Sequence, residues 1–296
     1  MSVLTVENLY KNYGSVQALK NVSFSVPTGS VFGILGPNGS GKTTLLGIIM
    51  DVLKATRGSF KLFDNVPSAD QRKLIGTLLE TPNFYHYLSA QKNLEIAAAI
   101  KGQDYSDIPR VLEMVNLTQR KDSKFSTYSL GMKQRLAIAS CLLGNPNVMV
   151  FDEPTNGLDP VGIAEIRELI KKLYHEGKTI IMASHLLDEV EKVCTHVAIL
   201  KKGELIATGD VNEILANEDI VEIGSDNNEN LLQVIKSLNN YTNIKQADNL
   251  LQLFYPVGTA DPEEINKHCF QKGIVLKHLA IKKKSLEDKF FELTNN

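Results

Sequence analysis

The chain is poor in cysteine. Its three, Cys141, Cys194 and Cys269, stand far apart among 296 residues, in no CxxC or Cys/His spacing. That suggests neither a disulfide framework nor a thiolate zinc site and fits a reducing, cytoplasmic setting. An excess of positive charge is missing too. The formal charge is -2 and the pI near 6.3, which leaves no broad basic field for gripping nucleic acid. No nucleic-acid partner is expected, and the run Lys282-Lys283-Lys284 reads as a solvated surface. No apolar segment is long enough to span a bilayer, and the opening MSVLTVENLY has no basic stretch followed by an apolar one. Any membrane role is therefore expected to come through a partner.

What is present is an ordinary globular composition, 43% hydrophobic and 22% charged, at a length that suggests two unequal domains. Residues 3–9 and 16–26 read as strands separated by turn residues around Gly14, and the apolar run VFGIL at 31–35 reads as a buried central strand. It leads into a glycine-rich loop and a helix from about Lys42. From Ser89 to about Leu143 the apolar spacing is helical. Strand and helix then alternate: VMVF at 148–151, a helix over 161–176 stopped by Gly177, TIIMA at 179–183, another helix and the hairpin HVAILKKGELIATG. This alternation predicts an α/β fold with a mostly parallel sheet. From about residue 217 the order is βαββαβ, with a last strand over 274–281, the ferredoxin-like arrangement. A final helix opens at Ser285, with Asp288 completing a capping box.

GPNGSGKTT, residues 36–44, fits G-x-x-x-x-G-K-[ST] between a strand and a helix. Gly36, Pro37, Asn38, Gly39, Ser40 and Gly41 let the backbone wrap phosphates, and the helix start at Lys42, Thr43 and Thr44 offers unpaired amides. Lys42 reaches the β and γ phosphates of a nucleotide and Thr43 can hold Mg²⁺. VMVFDEP ends in two adjacent carboxylates. Side chains alternate along a strand, so Asp152 and Glu153 take separate roles unless the chain turns, which Pro154 encourages. Asp152 suits the metal, and Glu153 suits polarising a water. His185 follows TIIMA at the expected carboxyl edge of the sheet, where ligands bind in such folds. Tyr13, beside Gly14, is either a stacking platform for adenine or a strand aromatic. YSLGMKQRL, residues 128–136, pairs Ser129 with Gly131 ahead of a helical run, which makes a second helix start suited to an anion.

In this order the motifs resemble the nucleotide-binding subunit of ATP-binding cassette (ABC) transporters over about residues 2–215. The resemblance implies a P-loop NTPase cassette over 1–216, with an antiparallel β subdomain and a helical subdomain at about 81–145, followed by an α+β accessory domain over 217–296. It implies that Tyr13 stacks on adenine and that YSLGMKQ is a version of the signature motif, with Ser129, Leu130, Gly131, Met132, Lys133 and Gln134 contacting the nucleotide of the opposite subunit. Asp159 is then the aspartate that crosses a head-to-tail dimer interface, and His185 senses the γ phosphate. Two departures stand out: Ser-Leu-Gly-Met replaces the usual Ser-Gly-Gly-Gln, and Glu80 stands where the family has a glutamine. A carboxylate at Glu80 can ligate Mg²⁺ or orient water but donates no hydrogen bond.

These departures, with EDKFFELT near the C-terminus, resemble bacitracin-resistance and lantibiotic-immunity exporters. That implies an ATPase working as an ATP-bound homodimer on a separate transmembrane permease, peripheral on the inner face of the membrane, with Phe84, Tyr85 and Tyr87 either in a docking surface or in the core of the helical subdomain. A cassette acting on ribosomes or DNA would carry tandem cassettes, a coiled-coil insertion or a basic tail. An ATP-binding switch without hydrolysis would have only Glu80 in its favour.

Overall fold

The computed structural model describes residues 1–79, 83–215, 219–238, 240–247, 249–256, 258–283 and 285–294. By its contacts the chain divides into two units, Met1–Asp210 and Val211–Asn296. The boundary expected at 216/217 and Glu80 lie outside the described residues.

In the first unit, β1 (Ser2–Tyr13) and β2 (Val16–Pro27) form an antiparallel hairpin. The first strand runs beyond the expected 3–9. Asn8 takes a left-handed backbone (φ 47°) at a register shift, with its amide donating to Ser23 Oγ at 2.7 Å. Such a bulge interrupts the two-residue alternation without ending the pairing. Next come β3 (Val31–Leu35), α1 (Lys42–Ile49), β4 (Arg57–Leu62), α2 (Ala69–Lys73) and β5 (Ile75–Leu78). The helical segment holds α3 (Ala90–Lys101), α4 (Ile108–Met114) and α5 (Leu130–Leu142), joined by short 3₁₀ turns. Then follow β6 (Val148–Asp152), α6 (Pro160–His175), β7 (Thr179–Ser184), α7 (Leu187–Glu191), β8 (His196–Lys201) and β9 (Glu204–Asp210). Helix α6 ends as expected: Gly177 (φ 81°) donates to Tyr174 O and Lys178 to Leu173 O, the two bonds of a Schellman cap.

Two sheets result, one ordered β2-β1-β4 and one ordered β5-β6-β7-β3-β8-β9, parallel except for β9. Every residue of β3, β6 and β7 is buried, as strands covered on both faces must be. Leu45, Leu46, Ile48 and Ile49 of α1 share one core with Leu4, Val6, Phe24 and Val26 of the antiparallel sheet and with Phe32, Ile34 and Val150 of the parallel one. Because α1 is buried among strands of both sheets, its first residue, Lys42, is held firmly.

The second unit comprises α8 (Val211–Leu215), β10 (Asp219–Gly224), α9 (Asn228–Ile235), β11 (Asn243–Ala247), β12 (Leu250–Tyr255), α10 (Pro262–Gln271), β13 (His278–Lys283) and α11 (Leu286–Thr294). Its sheet is antiparallel in the order β11-β12-β10-β13. The ferredoxin-like expectation therefore holds, with Val221, Leu253 and Tyr255 packed on Leu231, Ile235 and Ile265 of the helices. The last strand starts at His278 rather than 274. Gly273 (φ 78°) caps α10 and Ile274 donates to Cys269 O at 2.9 Å, so the apolar Ile274 serves the helix cap and the core. Ser285 and Asp288 exchange hydrogen bonds of 3.1 Å at the start of α11, the expected capping box. Of the lysine run, Lys282 reaches Glu222 at 3.6 Å, and Lys284 lies outside the described residues.

One buried amide shapes the entry to the helical segment. Asn93 is 2% exposed; its Oδ1 accepts from the Tyr85 amide at 2.8 Å, and its Nδ2 donates to Tyr85 O at 3.1 Å and Ser89 O at 2.9 Å. Replacing it with alanine strands an amide and two carbonyls. Asn93→Ala should therefore lower stability by about 2 to 4 kcal/mol, read as a fall in the urea midpoint; an unchanged midpoint would show that water replaces the side chain at no cost.

Candidate active site

Three adjacent strands of the parallel sheet end together. The order β6-β7-β3, with Asp152 level with Ala183 and Leu35 level with Ser184, brings the phosphate-type loop, the carboxylate pair and His185 to one carboxyl edge. That edge is where open α/β sheets take ligands.

The loop after β3 is built from backbone that only glycine tolerates. Gly36 has φ 153°, and a Cβ there would lie 2.3 Å from Leu200 O; Gly41 has φ 108°, and a Cβ there would lie 2.7 Å from Ala18 O. The turn between β8 and β9 braces it, Gly203 donating to Ser40 O at 3.0 Å. Because Gly41 is the N-cap, α1 has no side-chain cap, and its first turn carries no acidic residue. The amides of that turn need an acceptor, and the helix end favours an anion. Gly39 (φ 78°) faces open space. Ser40 Oγ is buried without a hydrogen-bond partner among the described residues. The donors of this cradle fit phosphate oxygens.

Lys42 is 6% exposed. Its ammonium donates to Gly36 O at 2.8 Å and Pro37 O at 3.4 Å and lies 3.3 Å from Glu153 Oε1. A buried cation is tolerable only with such partners, and all three are groups that a polyphosphate could replace. Glu153 Oε2 meets His185 Nδ1 at 2.8 Å and the His185 amide at 3.4 Å. A carboxylate only accepts, so Nδ1 carries the proton. The reason Glu153 differs from Asp152 is its backbone: φ is 49°, and its amide donates to Ala183 O at 3.0 Å. A left-handed residue costs on the order of 1 kcal/mol for anything but glycine. Here that turn swings Glu153 off the strand line towards Lys42 and His185, while Asp152 stays buried at the strand end.

The remaining candidates fall in two groups. Tyr13 sits at the tip of the β1–β2 hairpin, exposed, with Lys11 Nζ 4.8 Å from its ring centre; the same hairpin lays Ala18 against Gly41. Ser129 is the N-cap of α5, its Oγ accepting from the Met132 amide at 3.3 Å. Leu130 is exposed and lies against Gly157; Gly131 would tolerate a Cβ, whose nearest neighbour is Leu158 at 4.0 Å. Lys133 lies over the Phe125 ring and Gln134 is buried. Asp159 caps α6, Oδ1 accepting from Gly162 at 2.8 Å. No described hydrogen bond or ion pair joins residues 129–134 to Lys42, Glu153 or His185, so this second helix start stands apart from the first within the chain. Sequence reasoning missed the Lys42–Glu153–His185 chain of contacts, because pairing across three strands leaves no local signal. The cysteines take no part: all three are buried, and burial pushes the Cys141 thiol up to about 12.

Removing the Lys42 ammonium should weaken nucleotide binding before it affects any later step. Lys42→Ala should raise the Kd for ATP about 10- to 100-fold, the loss of one or two charge-assisted bonds, as measured by isothermal titration calorimetry. Unchanged affinity would remove Lys42 from the phosphate site.

Comparison with known proteins agrees with this geometry. The ABC transporter family pattern matches residues 19–156. The bacitracin transport ATP-binding protein BcrA of Enterococcus faecalis is 33% identical over 98% of this chain and 96% of its own. The lantibiotic transport ATP-binding protein SrtF of Streptococcus pyogenes is 38% identical over 69% of this chain and 89% of its own. Among solved structures, a dimeric post-hydrolysis state of an ATP-binding cassette bound to ADP and Pi superposes with a TM-score of 0.63 at 28% identity, covering 70% of this chain and 98% of that one. With the nucleotide-type loop, the carboxylate pair and the histidine on one sheet edge, and a relative matched along nearly its whole length, the chain belongs to the ABC transporter ATP-binding proteins and is an ATPase of that family.

Proposed function

We propose that this chain is the ATP-hydrolysing subunit of an exporter, working as a head-to-tail homodimer beneath a separate membrane permease. The observation that carries the reading is Glu153, held between Lys42 at 3.3 Å and His185 at 2.8 Å. A carboxylate so placed can accept a proton from a water while the imidazole fixes its direction. Lys42 turns from the loop carbonyls and Glu153 to the β and γ phosphates, and the uncapped first turn of α1 receives their oxygens. Tyr13 stacks on the adenine.

Mg²⁺, a hard cation that prefers oxygen ligands, would neutralise the charge of the β and γ phosphates when bound. Thr43, exposed on the first turn of α1, and Asp152, buried at the end of β6, are the residues that would hold it. Among the described residues no three His, Cys, Asp or Glu side chains gather into a metal site by themselves, which fits an ion that shares its ligands with nucleotide and water. Glu80, which the sequence adds to this set, lies outside the described residues.

Half of the site is missing from one chain. The α5 start, with exposed Ser129 and Leu130 and with a Gly131 that nothing within the chain requires, suits the phosphates held by a second copy. Asp159 borders the same surface. This reading accounts for a helix glycine that otherwise costs about 1 kcal/mol. The exporter assignment rests on the names of the relatives, bacitracin and lantibiotic transport proteins.

No described helix is long and apolar enough to cross a membrane, so coupling to transport needs a docking surface. We assign that role to a groove of about 550 Å³ beside β5 and α3, of mixed character, lined by Leu79, Phe84, Tyr85 and Ile96 together with the polar Asn83 and Ser140, with Tyr87 exposed nearby. The domains follow the same plan: an ATPase cassette up to about residue 216 and an accessory domain after it.

Glu153→Gln should lower phosphate release at least about 100-fold, the range for loss of a general base, while ATP still binds and light scattering reports a dimer. A variant hydrolysing at the parental rate would refute the role of Glu153. The tagged chain, drawn from gently solubilised membranes, should bring down a polytopic membrane protein in stoichiometric amount. Recovery of ribosomal or DNA-bound proteins in its place would assign the ATPase to other work.

A further inference from the structure

Helix α7 follows His185 by two residues and is only five residues long. A single turn does not hold itself together, and its N-cap, Leu186, provides no side-chain bond. Something else must fix it. On one side Val190 is fully buried against β3, so close that a Cβ on Gly33 would lie 2.9 Å from Val190 Cγ1. On the other side Glu189 receives two bonds from Arg167 of α6, Nε to Oε2 at 2.8 Å and Nη2 to Oε1 at 3.2 Å. The pair is largely screened from water, with 24% and 13% of the side chains exposed. Lys192 adds a third donor to Glu189 at 2.9 Å, itself tied to Asp188 at 3.3 Å.

The helix that carries Arg167 starts at Asp159, and Glu189 lies four residues beyond His185. The ion pair therefore clamps the segment bearing the histidine to the helix bearing the interface aspartate. A forked guanidinium fixes both distance and angle, which a point charge does not. We propose that Arg167 is a positioning residue for ATP hydrolysis: through Glu189 it holds α7, and so keeps the His185 imidazole in register with Glu153. The inference rests on the reading above that His185 and Glu153 act in hydrolysis.

The test is a double-mutant cycle in the full chain, with steady-state ATPase kinetics and fluorescent ATP-analogue binding. Arg167→Gln should lower kcat about tenfold, the scale expected when a reacting group is displaced, with KM and analogue affinity changed less than about twofold. Glu189→Gln should do the same from the other side, and Arg167→Lys, which keeps the charge but loses the fork, should fall between. On a His185→Ala background, Arg167→Gln should add less than about twofold, because its effect has no imidazole left to act through.

Full additivity on that background, or a parallel rise in KM, would overturn the positioning role and leave the pair a brace for the fold. An unchanged kcat in both Arg167→Gln and Glu189→Gln would overturn it as well. If His185→Ala alone hydrolysed at the parental rate, the role of His185 would fall and the proposal with it. That result is recognisable because it appears before Arg167 is touched. Analogue titration of active sites in each variant separates misfolded protein from slow protein.

Discussion

The ammonium of Lys42 sits where water hardly reaches it. It is 6% exposed at the first residue of a helix whose own dipole repels it, so the surrounding chain must supply oxygen. Two loop carbonyls and Glu153 do so. Around that requirement the rest is arranged. The glycines let the loop fold back far enough to present its carbonyls, the buried core on α1 keeps the lysine from swinging out, and the left-handed turn at Glu153 brings a carboxylate across from another strand. Replaceable partners are what a phosphate-binding site needs, since phosphate oxygens can take over from each oxygen that the ammonium leaves.

The sheet order decides which groups can meet. β6, β7 and β3 are neighbours in space but distant in sequence, and their carboxyl ends carry Asp152 and Glu153, His185 and the phosphate loop. Parallel strands joined by helices put all such ends on one edge. The same wiring puts α6 beside α7, so the Arg167–Glu189 pair ties together two segments that come from successive strand ends. The meeting of these groups is a property of strand adjacency before it is a property of any one loop.

The helical segment obeys a different constraint. Its entry loop is braced by a buried amide, Asn93, with bonds to the backbone of Tyr85 and Ser89, and its third helix, α5, opens on Ser129 as the cap. Between them Phe125 packs on Phe84, His86 and Tyr128. The surface proposed for the permease and the helix start proposed for the second nucleotide thus share one aromatic core, a short path for a push at one to be felt at the other.

The sequence alone determined much of this protein. The glycine-built loop between β3 and α1 was legible because its glycines, lysine and threonine are contiguous, and the parallel strands because their apolar runs are short and bounded. The βαββαβ order and the caps at Gly177 and Ser285 were legible because capping and periodicity act over a few residues. Where local pattern and local structure part company, reading failed: the bulge at Asn8 hid the last four residues of β1, and Ile274 looked like strand while capping α10. The approach of Lys42 to Glu153, the imidazole of His185 turned onto the same carboxylate, and the clamp from Arg167 to Glu189 were decided only by the tertiary structure. Each joins residues 22 or more positions apart, and no propensity or spacing rule reaches across a strand order that is itself set by packing.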